Sequence, residues 1–194
     1  MNQYGFRATC FVNSGYIGNT YMLSLAQLQN LYEQWNWEIG GHTFGHESLP
    51  NISYPEAETA IGADYLRLKQ WGLNPKSFAL PRGACPLDYY PIISTYYDII
   101  RGSHDFAMCS PLDSHSLGYL PFQGDWDTSV IKTRISRGIA NGESLIIIGF
   151  HSVGNAGNSY NATCSAAQFA QIMADIHQFG LEVMPLSEAI DKLK

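Results

Sequence analysis

Two histidines lie four residues apart in the segment EIGGHTFGHESL, which spans residues 38–49. The segment begins like a strand, and His42 stands at the end of it. If the chain turns helically after that strand, both His42 and His46 lie on one face and reach one metal ion. The alternative is a pair of hydrogen-bonded structural histidines, because this spacing alone is weak evidence. The rest of the sequence has to decide between the two interpretations.

Two further polar residues follow apolar segments that read as strands. His151 comes directly after SLIIIGF, and Arg82 follows SFALP. Chemistry in α/β folds gathers at the carboxyl ends of the strands, so we expect both side chains near His42. The alternatives are packing beneath a loop for His151 and a surface ion pair for Arg82. For Arg101, after a third such segment, a structural salt bridge is the first interpretation and a contact to substrate or a carboxylate the second.

Short apolar runs alternate with amphipathic stretches along the whole chain. The runs are bounded by Gly or Pro and are mostly apolar on both faces, which is typical of buried parallel strands. The candidate strands span residues 7–12, 37–42, 77–81, 98–102, 144–150 and 181–186. Ser24, and Ser53 with Glu56, are placed to cap helices between them. This alternation predicts an α/β fold with a parallel sheet or barrel in one domain.

Composition excludes several classes of function. The net charge of −6 gives no basic surface for nucleic acid, and the longest apolar run, LIIIGF, is too short to span a bilayer. The four cysteines show no CxxC pair, so they do not form a zinc ribbon. Aromatic residues make up 13% of the chain, and they fill a core or line a groove for sugars. The first residues lack the apolar core of a signal peptide, and the location stays open.

The segment with His42 and His46 resembles the second motif of the NodB-type polysaccharide deacetylases, carbohydrate esterase family four. Other segments resemble this family in the same order: YGFRATCFVNSGYIG (4–18), FALPRGAC (78–85), LIIIGFHSVG (145–154) and FGLEVMPLSEAI (179–190). The resemblance therefore covers residue 4 to the end of the chain. It implies a distorted (β/α) barrel of the NodB homology type, and one deacetylase domain over residues 1–194.

The resemblance also implies an activity and a site. The activity is that of a metal-dependent hydrolase, which removes acetyl groups from N-acetylated or O-acetylated polysaccharides or amino sugars. His42 and His46 are expected to bind the divalent metal, Zn before Co or Ni, and His151 to be the general acid. Arg82, and Trp126 in the GDWD match to the fourth motif, are expected to contact the carbohydrate. The full-length protein is expected outside the cell or in its envelope.

The sequence departs from the family in three places. The family's first motif, a strand ending in two aspartates, has no counterpart, since no Asp precedes Asp64. We therefore expect an N-terminally incomplete domain without its first strand, and weaker metal binding. Ala79 stands where the family often has Arg, and Gly149 where a Leu usually walls the acetyl pocket. These departures favour a rival function, a carbohydrate-binding remnant without catalysis. A hydrolase of a non-sugar amide is a third possibility.

Overall fold

A computed structural model describes residues 1–154 and 163–194, and a parallel sheet is its central element. The strands, in spatial order, are β1 (Thr9–Val12), β2 (Glu38–Gly41), β3 (Ser77–Ala79) and β4 (Ile99–Arg101). All neighbouring pairs are parallel, with Gly41 opposite both Val12 and Phe78, and Ala79 opposite Arg101. The ends Val12, Gly41, Ala79 and Arg101 thus lie together. We call this the carboxyl edge.

Helices connect the strands and cover the sheet. They are α1 (Leu25–Glu33), α2 (Tyr54–Gln70), α3 (Tyr90–Tyr96), α4 (Ser129–Ala140), α5 (Ala166–Gln178) and α6 (Leu186–Leu193). The predicted caps are confirmed: Ser24 caps α1, and Ser53 with Glu56 forms a capping box at α2. Side chains at these positions satisfy backbone donors that a helix start leaves free.

Apolar side chains are buried on both faces of the sheet. Phe78 and Ile100 pack into a cluster with residues of α2 and α3. Ile99, the neighbour of Ile100 in β4, packs instead against Leu186 and Ile190 of α6. Successive strand residues point to opposite faces, so a strand buried on both sides must be apolar throughout. The predicted α/β fold with a parallel sheet is confirmed.

Beyond β4 the chain forms smaller parallel pairs. Strand β5 (Leu120–Pro121) pairs with β6 (Ile148–Gly149), and β7 (Ser152–Val153) pairs with β8 (Thr163–Cys164). Leu117 forms a parallel bridge to Arg101 and so extends the sheet past β4. Within the described residues these strands are separate sheets of four, two and two strands. Closure into a barrel therefore stays a prediction.

The predicted last strand, residues 181–186, is wrong. Residues 181–185 have no regular structure, and Leu186 already begins α6. Pro185 has no N–H for a sheet ladder and stands before a helix, where proline is well tolerated. The first donors of α6 go to the sheet, because the Leu186 N–H donates to Thr9 Oγ1 and the Ser187 N–H to Glu38 Oε2. Side chains of β1 and β2 thus replace a strand partner.

None of the helices in the described ranges has the length and apolar content that crossing a membrane requires.

Candidate active site

His42 directly follows β2, and its ring is fixed by the neighbouring strand. Its Nδ1 lies 2.7 Å from the backbone oxygen of Ala79, the last residue of β3. A carbonyl oxygen only accepts, so Nδ1 carries the proton and Nε2 has the lone pair. Burial lowers the pKa of His42 to about 3, although the Ala79 carbonyl acts in the opposite direction. The ring is therefore neutral at pH 7, which is the form that binds metals.

His46 reaches His42 by a loop rather than by a helical turn. No helical turn follows the strand, because residues 42–47 form no helix. Thr43 has φ 64° and His46 has φ 61°, and both values are left-handed. This path still brings the two rings together, with centroids 4.8 Å apart and planes inclined by 59°. Left-handed non-glycine residues are costly and cluster at functional sites, so this strain marks the loop.

Two side chains outside the loop hold it against the carboxyl edge. Asn13, which follows β1, donates from Nδ2 to the backbone oxygens of both His42 and Thr43. Asp64, buried in α2, accepts the backbone N–H of His42 at 3.0 Å and that of Ser14 at 2.9 Å. The loop after β2 is thereby tied to both the loop after β1 and helix α2. Neither residue was identified from the sequence.

His151 follows β6 and lies near the histidine pair. Its ring is close enough that its positive charge would lower the pKa of both His42 and His46. Partial removal from water lowers the pKa of His151 itself, and the charge of Arg101 adds to this effect. The structure thus brings the three predicted imidazoles to one place, although they come from distant parts of the chain.

Arg101, the last residue of β4, lies beside the same imidazoles. Its side chain is buried, and its charge lowers the pKa of His42 as well as that of His151. The guanidinium carbon lies 4.0 Å from the ring centroid of Tyr119 and 5.3 Å from that of Phe11. No Asp or Glu in residues 1–154 and 163–194 forms a salt bridge with it. The salt bridge predicted for Arg101 is therefore wrong.

Tyr119 also fills the space beside Gly149. A Cβ added at Gly149 would lie 2.6 Å from the Tyr119 ring, so no side chain fits there. The position where the family usually has Leu is thus covered by a ring from the segment before β5. No local pattern indicates this contact, because Tyr119 and Gly149 are 30 residues apart.

The two predicted substrate contacts have different surroundings. Arg82 is exposed, and its charge lowers the pKa of His46, so it lies beside the histidine pair. Trp126 packs in the cluster formed by α4, α5 and β5, with its ring 6.2 Å from Phe122. Nearby Asp127 accepts the backbone N–H of Ser129 at the start of α4.

The two imidazoles of His42 and His46 are the side chains at this site that suit a metal. A neutral His42 with a lone pair on Nε2, beside His46, fits as two ligands of a divalent ion. Within the ranges that the structure describes, no group of three His, Cys, Asp or Glu residues is arranged to bind a metal.

A protein-family model matches just under half of the chain, the part that contains the histidine pair. Residues 1–95 match the model of the polysaccharide deacetylase family. These residues belong to the polysaccharide deacetylases. His42, His46 and Arg82 lie inside the matched range of the deacetylase domain, and His151 lies beyond it. A search of curated protein sequences returned no match.

Solved structures of the same family share the fold. The Xyl-CE4 domain of a multidomain xylanase from the hindgut metagenome of Trinervitermes trinervoides matches with a TM-score of 0.63 and 17% identity, covering 98% of this chain and 80% of that one. A CE4 family pseudoenzyme from Bacillus anthracis matches with a TM-score of 0.65 and 14% identity, covering 98% and 58%. At such identities the likeness shows the fold alone.

A polysaccharide deacetylase from Bacillus cereus matches over a shorter range. Its TM-score is 0.52 at 16% identity, over 58% of this chain and 36% of that one. The match thus spans about a third of the length of that protein.

Proposed function

We propose that this chain is a metal-dependent hydrolase that removes acetyl groups from an acetylated polysaccharide or amino sugar. The observation that carries the proposal is the convergence of His42, His46 and His151 at the carboxyl edge of a polysaccharide deacetylase fold. Deacetylase chemistry needs a polarised carbonyl, an activated water and a proton for the leaving group. The three imidazoles offer groups for these tasks within one site.

His42 and His46 are the proposed metal ligands. The hydrogen bond from His42 Nδ1 to Ala79 fixes the tautomer, as the outer contacts of metal-binding histidines commonly do. The loop bonds from Asn13 and Asp64 hold the backbone that carries this ring. A divalent ion such as Zn, Co or Ni would supply Lewis acidity toward the acetyl carbonyl and lower the pKa of a bound water.

His151 is the proposed proton carrier. Because its pKa lies below the ordinary value of 6.5, its ring is mainly neutral at pH 7. A neutral imidazole must first gain a proton, and the attacking water is the natural source. The resulting imidazolium then donates this proton to the leaving nitrogen or oxygen. The nearby cation of Arg101 favours this release, because it disfavours the protonated ring.

Exposed side chains around the histidine loop are suited to a sugar. Tyr16 donates its hydroxyl to the backbone oxygen of Gly45, between His42 and His46, and its side chain remains exposed. An exposed aromatic ring in a fixed position offers an apolar face to a pyranose. Arg82, beside His46, adds hydrogen-bond donors on the surface. These features favour a carbohydrate over a small isolated amide.

A second candidate function is glycan binding without catalysis. Two observations favour it: no group of three metal-binding side chains is present among the described residues, and none of their ion pairs includes Arg101. A protein of the same fold from Bacillus anthracis is a pseudoenzyme. In this candidate function the same surface binds a glycan, but the chain does not hydrolyse it.

Acetate release separates the two candidates. The purified chain, loaded with Zn, Co or Ni, is incubated with N-acetylated chitin oligosaccharides and with acetylated xylan, and acetate is measured enzymatically. Metal-dependent acetate release that is lost in His46→Asn supports the hydrolase. Asn is chosen for this variant because it tolerates the left-handed backbone at position 46. Glycan binding with no acetate from any substrate selects the second candidate. If the chain neither binds a glycan nor releases acetate, both candidates are contradicted.

A further inference from the structure

Arg101 is a buried cation for which this chain provides no anion. Its side chain is only 8% exposed, and none of the ion pairs in the described ranges includes it. Residues 155–162, outside these ranges, read NAGNSYNA and contain no Asp or Glu. A buried charge without a partner is costly, so such groups are almost always paired or bind a ligand.

The surroundings of Arg101 offset only part of this cost. The guanidinium lies over the faces of Phe11 and Tyr119, and Nη1 donates to the backbone oxygen of Gly102 at 2.7 Å. The ring contacts, the Gly102 carbonyl and a hydrogen bond with the side chain of Tyr119 stabilise the cation, but they do not use all five guanidinium donors. The two rings also hold the side chain in place, which reduces the entropy lost when a ligand binds.

Arg101 lies near the proposed catalytic groups. It ends β4 at the carboxyl edge, opposite Ala79, whose backbone oxygen holds His42. Its charge lowers the pKa of both His42 and His151, so an anion bound to it would lie near the same two rings. A planar guanidinium matches a carboxylate by two parallel hydrogen bonds.

We infer that Arg101 is an anion-binding residue of this site and takes a carboxylate ligand. This inference rests on the proposed function for the identity of that ligand. One source of the carboxylate is free acetate, the product of the proposed reaction. The other is a carboxylate carried by the glycan itself, as on a uronic acid. Both present the same chemistry to the guanidinium.

Binding to metal-free protein tests the inference without turnover. The chain is stripped with 1,10-phenanthroline, a neutral chelator, so that neither metal nor chelator supplies a carboxylate contact. Acetate, glucuronate and acetamide, the neutral isostere of acetate, are titrated by calorimetry and by ligand-observed NMR. We expect at least one of the two carboxylates to bind about tenfold or more tightly than acetamide. Tight glucuronate binding identifies a substrate carboxylate, and tight acetate binding alone identifies the product.

Three variants assign the binding to Arg101. Arg101→Met should reduce carboxylate affinity to the level of acetamide, and Arg101→Lys should weaken it less, because Lys keeps the charge but loses the planar fork. Arg137→Met, at an exposed arginine of α4 outside the site, should leave the affinity unchanged. Circular dichroism and thermal unfolding establish that each variant is folded. If Arg101→Met does not fold, Arg101→Lys decides, and an unchanged affinity in that variant overturns the inference.

Two further outcomes contradict the inference. Carboxylates that bind no better than acetamide would show that Arg101 takes no anion. Affinity lost in Arg137→Met rather than in Arg101→Met would show that Arg101 does not hold the carboxylate. Acetate release without carboxylate binding would contradict this inference alone, and carboxylate binding without acetate release would contradict the proposed function alone.

Discussion

The carboxylate of Asp64 accepts the backbone N–H of His42 at 3.0 Å, and so connects helix α2 to the residue that follows β2. Its second oxygen accepts the N–H of Ser14, which follows β1. Two loops at the carboxyl edge thus share one buried acid. The hydrogen bonds favour the charged form of Asp64, but burial is the larger effect and raises its pKa to about 6.

This shift predicts how stability depends on pH. An acid whose pKa is higher in the folded than in the unfolded chain stabilises the fold below its unfolded value and loses that contribution as pH rises to its folded value. For Asp64 the window runs from 3.8 to about 6. Across it the free energy of unfolding should fall by up to about 3 kcal/mol from this group alone. Asp64→Asn should lack this component, as urea unfolding of both proteins from pH 4 to 7 would show.

The control for Asp64 is the exposed acid Asp125. Asp125→Asn should follow the wild-type pH dependence, because its side chain lies in water in the folded and the unfolded chain. A difference between wild type and Asp64→Asn that stays constant over this pH range would contradict the shift.

Local patterns predicted the elements of this fold more reliably than its contacts. The strands that became β1 to β4 were predicted because a strand buried on both faces is a continuous apolar run, which is visible in the sequence. The caps at Ser24 and Ser53 were predicted because their partners lie within three residues. The predicted strand at 181–186 was wrong because Thr9 and Glu38, far away in the chain, accept the first donors of α6.

The candidate site shows the same division. The types and spacing of the histidines identified the three imidazoles. The path between His42 and His46 was not visible, because it depends on left-handed residues that no spacing indicates. The surroundings of Arg101 were also missed. Phe11 and Tyr119 come from different strands and segments, and only the register of the sheet places them beside it.

Metal titration tests the ligand role of the histidine pair. His42→Ala and His46→Asn should each weaken Zn binding by about 100-fold or more, since each removes one of two imidazoles. Removing only a residue that hydrogen-bonds to a metal ligand already weakens binding by about 10- to 100-fold. Isothermal calorimetry measures the affinity at pH 7.5, where His42 is neutral. His115→Ala, in the segment between β4 and β5, is the control and should bind Zn like the wild type. Equal affinities in all four proteins would exclude the pair as ligands.

Close packing behind the histidine loop gives a third prediction. A Cβ at Gly41 would clash with the hydroxyl of Tyr97, which is buried and has no hydrogen-bond partner among the described residues. Gly41→Ala should therefore cost about 1–3 kcal/mol of unfolding free energy. Tyr97→Phe should be neutral or stabilising, because it removes an unpaired polar group. Denaturant unfolding of both variants and of the double variant measures the coupling.

Gly40 provides a matched control for that cycle. A Cβ at Gly40 would meet the ring of Phe11 on the other face of the strand. Tyr97→Phe should thus relieve most of the cost of Gly41→Ala and none of the cost of Gly40→Ala. Equal relief at both glycines would show that the hydroxyl of Tyr97 is not the obstacle.

Arg134 and Arg137 contact the same acid but differ in burial, and this difference predicts unequal costs. Arg134 of α4 donates to Asp105 at 2.7 Å and to Glu143 at 2.7 Å, and the side chains of Arg134 and Glu143 are 3% and 1% exposed. Removing this cation leaves a buried carboxylate unpaired, so Arg134→Ala should lose about 3–5 kcal/mol of unfolding free energy. Arg137 also contacts Asp105, at 2.8 Å, but is 57% exposed. Arg137→Ala should therefore lose about 1 kcal/mol or less.

Urea unfolding of both variants checks this order. Arg134→Met combined with Glu143→Leu should recover most of the loss, because it removes the unpaired charge, and a double variant as unstable as Arg134→Ala would contradict this explanation.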